Sequence, residues 1–272
     1  MPSDLLDATP PRGTLVLFGG GDDDPLLARL AELLPAPDAA IEVLTTATRY
    51  QPARTAAAYA HAWQQLGCPN VRHLKVDEKH PADAPATLAR LEAANLVFLS
   101  GGDQERLTEF LPGTAFLALL REKYRTDPQF IVAGTSAGAA ALAEHMLVDG
   151  YGWRSLLGGR VRALPGLGLL PGVVLDQHFA ERARYPRLLQ AVLAQPHLLG
   201  LGLSEETGLV VRPGQPAEVV GDEVVFVVDA ADLTHNNVPG LGYNATISGH
   251  GLRVHLLTEG QRLALDTRAV NG

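Results

Sequence analysis

Residues 130–142 limit the fold more than any other stretch of the chain. An apolar run from Phe130 to Ala133 leads into Gly134-Thr135-Ser136-Ala137-Gly138 and then into small helix formers. The pattern predicts a strand, a tight turn and a helix, with Ser136 in a G-x-S-x-G frame of the nucleophile-elbow type. Such a turn lifts the hydroxyl clear of the sheet, and the flanking positions leave no room for a Cβ. A glycine-flanked serine that merely caps a buried helix has the same local pattern. The rest of the chain must therefore supply a base and a carboxylate.

The flanking sequence supports a sheet around the elbow. Residues 14–18 form an apolar run closed by Gly19-Gly20-Gly21 and Asp22-Asp23-Asp24, and helical spacing follows from Leu26 to Leu34. Residues 41–44, 71–76 and 95–100 are further strands, with helices expected over 52–66, 85–93, 104–111 and 115–125. Strands apolar on both faces that alternate with helices predict a parallel sheet covered on both sides. Functional loops then lie at the carboxyl ends of the strands, where 19–24, 45–48, 101–104 and Ser136 all fall. The second half reads as a strand at 173–179, a helix over 187–194, and short strands at 199–203, 209–211, 217–220, 224–229, 252–257 and 263–266. These are expected to extend the sheet with antiparallel pairs.

Composition excludes several functions. The net charge is −8 with no Lys/Arg run, which disfavours nucleic acid and anionic membranes as partners. The start of the chain lacks a basic and an apolar leader region, so the expectation is one domain over residues 1–272 in the cytoplasm. A single cysteine, Cys68, allows no internal disulfide and no multi-Cys metal site. Three consecutive acids at 22–24 cannot all point one way, so they are expected to cap a helix and not to hold a metal.

A serine nucleophile needs a base, and the base needs a partner that holds its tautomer. His61, His73, His80, His145 and His197 read as helix or surface-turn residues, and His235, His250 and His255 lie in the late hairpins. His178 ends an apolar strand within Asp176-Gln177-His178-Phe179, a placement that suits a base. For the acid, Glu205 and Glu206 end the apolar run 199–203, with Asp176 as a rival, and paired acids in a turn are also commonly just solvated. Arg182, Arg184 and Arg187 follow the histidine closely. Such a cluster suits bidentate capture of carboxylates, and equally suits the charged start of a surface helix.

Taken together, Gly134-Thr135-Ser136-Ala137-Gly138, the Ser100-Gly101-Gly102-Asp103-Gln104 turn, and Asp176-Gln177-His178-Phe179 with its three arginines resemble the cyanophycinases. These belong to a serine peptidase family that also holds aspartyl dipeptidases. The resemblance runs from the Phe18-Gly19-Gly20-Gly21 turn, through Thr46-Ala47-Thr48, to the late strand ending at Asp229. It implies a glutamine amidotransferase-like three-layer α/β sandwich with a mostly parallel central sheet. It also implies a Ser136, His178, Glu205 triad, a substrate pocket lined by Gln104, Asp176, Gln177, Arg182, Arg184 and Arg187, and a homodimer. Ser204 departs from the family, which often has an aspartate there, and Ala139-Ala140 replaces a more usual Ala-Ser.

The implied chemistry is acyl transfer without metal or cofactor, with backbone N–H groups at Ala137 and Gly102 holding the oxyanion. The implied substrate is cyanophycin, cleaved to β-aspartyl-arginine. An exopeptidase acting on short aspartyl or isoaspartyl peptides is the alternative, with residues 146–170 expected to decide between them. A non-catalytic binding protein of the same fold would have no need of an intact triad. The chain order Ser, His, Glu disfavours a lipase or esterase, and serine at position 136 disfavours a glutamine amidotransferase.

Overall fold

A computed structural model describes residues 10–271. Five parallel strands form one half of a nine-stranded sheet: β1 (Thr14–Phe18), β2 (Ile41–Leu44), β3 (Val71–Leu74), β4 (Leu96–Leu99) and β5 (Ile131–Thr135), in the spatial order β1-β5-β4-β2-β3. β1, β4 and β5 are short runs buried on both faces, β2 is buried as well apart from carrying the charged Glu42, and the edge strand β3, Val-Arg-His-Leu, is only partly covered. Val16, Phe18, Ile41, Val43, Leu96 and Phe98 meet α1 (Asp24–Ala31) and α2 (Pro52–Gln65) on one side. Leu15, Leu17, Leu44, Val97, Leu99 and Val132 meet α3 (Pro85–Ala93), α4 (Gln104–Phe110) and α5 (Ala115–Thr126) on the other.

Apart from the short antiparallel pair β13 (His235–Asn236) and β14 (Gly249–His250), the antiparallel strands of the second half divide between two sheets. β10 (Thr207–Val211) pairs with β1 and is followed outward by β11 (Ala217–Gly221), β16 (Arg262–Leu263) and β17 (Val270–Asn271), which completes the first sheet. A second, six-stranded sheet is built on the parallel trio β6 (Ala143–Asp149), β8 (Leu170–Asp176) and β9 (Leu199–Leu203). β7 (Arg162–Pro165), β12 (Val225–Asp229) and β15 (Arg253–Leu257) flank that trio antiparallel. Its inner face joins the same core as α3 to α5, and α7 (Tyr185–Ala194) covers its outer face.

Two histidines read as helix or turn residues lie on strands: His73 on β3, within the run 71–76 whose pattern predicts a strand, and His145 on β6. The six-residue helix α6 (Ala137–Leu142) stops without glycine or proline, because a neighbouring segment claims its last carbonyls. The amides of Leu167, Leu169 and Gly168 bond Ala141, Leu142 and Ala143. That long-range pairing leaves no mark in the local pattern.

One buried ion pair fixes α3 against the sheet that carries the site. Glu42 on β2 has no solvent exposure, accepts from Arg90 Nε at 3.2 Å and from Arg90 Nη2, and lies 3.5 Å from the half-exposed Arg72. Removing the Arg90 guanidinium leaves a carboxylate stranded in the core. The variant Arg90→Ala is expected to lose about 3 kcal/mol of stability. In urea denaturation this appears as a lower midpoint at unchanged slope, and a Glu42→Met, Arg90→Met double variant should recover most of it.

Candidate active site

The elbow is built as the glycine spacing requires. Ser136 joins β5 to α6 at φ 50° and ψ −114°, a conformation that costs a non-glycine residue roughly 1–3 kcal/mol and persists only when its surroundings enforce it. A Cβ on Gly134 would lie 2.6 Å from the backbone of Gly138, and one on Gly138 would lie 2.2 Å from the Leu99 carbonyl oxygen. The two glycines of the frame therefore let β5, α6 and β4 pass at contact distance.

His178 follows β8, and Glu205 follows β9. Ser136 Oγ lies 2.7 Å from His178 Nε2, and His178 Nδ1 lies 2.5 Å from Glu205 Oε1. Of the three candidate carboxylates, Glu205 alone meets the His178 ring. Glu206 is exposed, and Asp176 points away into a buried cluster. Burial holds the His178 pKa below its ordinary value, the hydrogen bond and charge of Glu205 oppose that shift, and the charges of Arg182 and Arg184 add to it.

Three successive carbonyls at the end of β1 hold these segments together. Phe18 O accepts from the Ser136 amide at 2.9 Å, Gly19 O from the His178 amide at 2.9 Å, and Gly20 O from the Glu206 amide at 2.8 Å. The glycines make this possible. A Cβ on Gly19 would lie 1.8 Å from the Ser204 oxygen, one on Gly20 2.4 Å from the His178 ring, and one on Gly21 2.8 Å from Glu205 Cβ. Sequence reasoning placed this turn at a strand end but missed its role, since the bonds are backbone to backbone. Its only signal was three consecutive glycines after an apolar run.

The sequence leaves open which residue of the acidic run 22–24 faces inward. Asp23 alone turns inward, accepting from Thr135 Oγ1 and Tyr59 OH, each at 2.7 Å. Burial raises its pKa and the two hydrogen bonds oppose the rise. It thus grips the residue before Ser136. Gly101 approaches the nucleophile from the other side, where its Cβ would lie 3.4 Å from Ser136 Cβ, and Gly102 at φ 141° lies against the Ala47 carbonyl. Ala137 is the first residue of α6, so its amide has no acceptor within the helix.

The six residues expected to line a substrate pocket have different fates. Asp176 and Arg187 are buried in a bidentate pair, with Nε to Oδ2 at 2.6 Å and Nη2 to Oδ1 at 2.5 Å. Arg184 donates to Asp176 Oδ1 at 3.1 Å and to Gln177 O at 2.5 Å, and Gln177 itself is buried. Gln104 donates to the Leu147 carbonyl at 2.9 Å. These side chains are engaged by the protein. Arg182 differs, since it is exposed and makes no ion pair among the described residues. It borders a cleft of about 160 Å3 shared with Gly150, Tyr151, Gly152 and Ser155. No group of three or more His, Cys, Asp or Glu side chains suited to a metal ion occurs among the described residues.

A profile of Peptidase family S51 matches residues 15–219. A cyanophycinase of Trichormus variabilis is 37% identical over 264 residues, covering 94% of this chain and 87% of its own. The chain belongs to Peptidase family S51. Another cyanophycinase, of Synechococcus elongatus, is 33% identical, with 95% of this chain and 81% of its own covered. Among solved structures, a peptidase from an acI-B1 Actinobacterium superposes with TM-score 0.68 at 23% identity, covering 93% of this chain and 96% of its own. The S51 chain has the mixed α/β, glutamine amidotransferase-like fold expected from its sequence. No helix among the described residues is long and apolar enough to cross a membrane.

If the β1 carbonyls set the register of this S51 site, then Gly20→Ala displaces the His178 ring without unfolding the sheet. Labelling of Ser136 by a fluorophosphonate probe should slow roughly 10²-fold, the usual cost of a displacement of about 1 Å, at unchanged circular dichroism. Labelling within twofold of wild type would refute that role.

Proposed function

We propose that the chain is a serine-type peptidase that hydrolyses cyanophycin, an arginyl-polyaspartate, to β-aspartyl-arginine through an acyl-enzyme. The observation that carries this reading is the unbroken hydrogen-bonded series Ser136, His178, Glu205 at the end of the sheet. The cyanophycinase relatives supply the substrate class. Arg182, an unpaired cation beside that series, suits a substrate that carries a carboxylate on every repeat.

His178 takes the Ser136 proton through Nε2 as Oγ attacks the backbone carbonyl of an aspartyl residue. Glu205 holds the Nδ1 proton and stabilises the imidazolium. The first-turn amide of Ala137 and that of Gly102 receive the oxyanion. Collapse of the tetrahedral species expels the amine, which takes the proton back from His178. Water then attacks the acyl group with His178 again as base, and Ser136 is regenerated. Asp176, Arg184, Arg187 and Gln177 act in this reading as the support that fixes the strand end before His178, while Arg182 meets the substrate.

Purified protein incubated with insoluble cyanophycin should release β-aspartyl-arginine, identified by mass. Ser136→Ala should lower the rate roughly 10⁴-fold or more. Cleavage of short aspartyl or isoaspartyl peptides with the polymer untouched would replace this substrate assignment by the exopeptidase one.

The pH dependence follows from the neutral His178 that the first step needs. Protonation silences the base, and burial holds its pKa below the ordinary value of 6.5, so the acidic limb of kcat/KM should fall below pH 6.5. Arg182→Gln removes a charge that depresses this pKa and should move the limb upward. A limb that stays in place would show that Arg182 does not act on the base.

A further inference from the structure

The stretch between β6 and β7 ends in an exposed surface that the triad does not use. Tyr151, Trp153 and Tyr243 are 77%, 67% and 67% exposed. Large aromatics so open to water cost solvation and normally mark a contact surface. They are held firmly. Gly158 N bonds Ala245 O at 2.8 Å, Asn244 N bonds Gly158 O at 3.0 Å, and Leu157 forms a β-bridge with Thr246. Arg160 Nε donates to Asn244 Oδ1 at 2.7 Å, and a Cβ on Gly159 would lie 2.8 Å from the Tyr243 ring.

This surface adjoins the cleft bordered by Arg182, Arg184 and Arg187, a few residues past His178, because Tyr151 is both one of its aromatics and part of that cleft's wall. Its rings already accept guanidinium groups. The Arg160 guanidinium lies 4.7 Å from the Tyr243 centroid, and that of Arg154 lies 6.0 Å from the Trp153 centroid. Rings alternate with cations along it. A polymer in which every repeat carries one guanidinium and one carboxylate has the complementary alternation, with guanidiniums on the ring faces and carboxylates on the arginines.

We propose that Trp153 and Tyr243, reached from the cleft across Tyr151, form a docking surface for the part of the cyanophycin chain beyond the repeat being cleaved. This rests on the substrate reading above. It makes the region 146–170 the element that favours polymer over short peptide. Neither Trp153 nor Tyr243 touches the reacting atoms, so their effect falls on KM for the polymer and not on kcat for a short substrate.

The test pairs binding with turnover. In the Ser136→Ala background, cosedimentation with insoluble cyanophycin should weaken about five- to tenfold on Trp153→Ala, the range expected for loss of one cation–π platform, and be retained by Trp153→Phe. With Ser136 intact, Trp153→Ala should raise KM for the polymer by a similar factor and leave hydrolysis of a soluble two-repeat substrate within twofold of wild type. Polymer binding and cleavage that ignore Trp153 would overturn the docking surface and leave the peptidase reading in place. Binding that depends on Trp153 without any cleavage would do the reverse. Failure of both proteins to bind or cleave the polymer overturns both. A change of mass in solution on Trp153→Ala, with both substrates affected alike, would assign the patch to a subunit interface and overturn the proposal.

Discussion

Everything at the active site depends on three consecutive carbonyl groups at the end of β1. Phe18, Gly19 and Gly20 each accept one amide, from the segments that carry the serine, the histidine and the glutamate. Three strands from two different sheets thus converge on one turn, and their separation is fixed by backbone bonds of 2.8–2.9 Å and not by side-chain packing. Buried amides left unbonded would cost about 1–3 kcal/mol each, so the sheet cannot shift its strands here without losing several of them. The missing side chains at 19–21 are what bring the partner segments within reach.

The same corner concentrates backbone strain. Ser136, His178 and Glu206 all have positive φ, as does Ala183 just beyond the histidine. None is glycine, so each sits in a conformation of about 1–3 kcal/mol that local preference opposes. The comb of β1 carbonyls supplies bonds to three of these four residues, and the Asp176 cluster anchors the strand that leads to His178. Asp176 is bonded by Arg187 and Arg184 together. A buried carboxylate so fully paired adds little net stability. Its consequence is that the chain leaves β8 in one direction only, and of the three arginines that border the cleft two are ion-paired to Asp176, while Arg182 makes no ion pair among the described residues.

Much of this was legible in the sequence, and the reason differs from residue to residue. Ser136 was legible because an elbow forces small residues at fixed spacing, and His178 because a polar residue closing a buried strand is locally anomalous. The parallel half of the first sheet followed from apolar runs alternating with helical spacing. Glu205, Glu206 and Asp176 could not be separated by pattern, since all three end apolar strands and only the pairing of β8 with β9 decides which one faces the histidine. The division of the late strands between two sheets was hidden for the same reason. Val225–Asp229 and Thr207–Val211 look alike as sequences, yet one pairs with β9 and the other with β1. The arginines were read as one cluster because their spacing is close, whereas burial sorts them into two structural groups and one free cation.

Precision and variability are segregated in this chain. Ser136, His178 and Glu205 stand on strand ends locked by main-chain bonds, where even a methyl group on Gly20 meets the His178 ring. The loops around Gly158 and Tyr243 are joined instead to one another, through Gly158, Asn244 and Ala245. A change at Trp153 therefore leaves the β1 turn and its three backbone bonds untouched, whereas a methyl group at Gly20 meets the His178 ring directly.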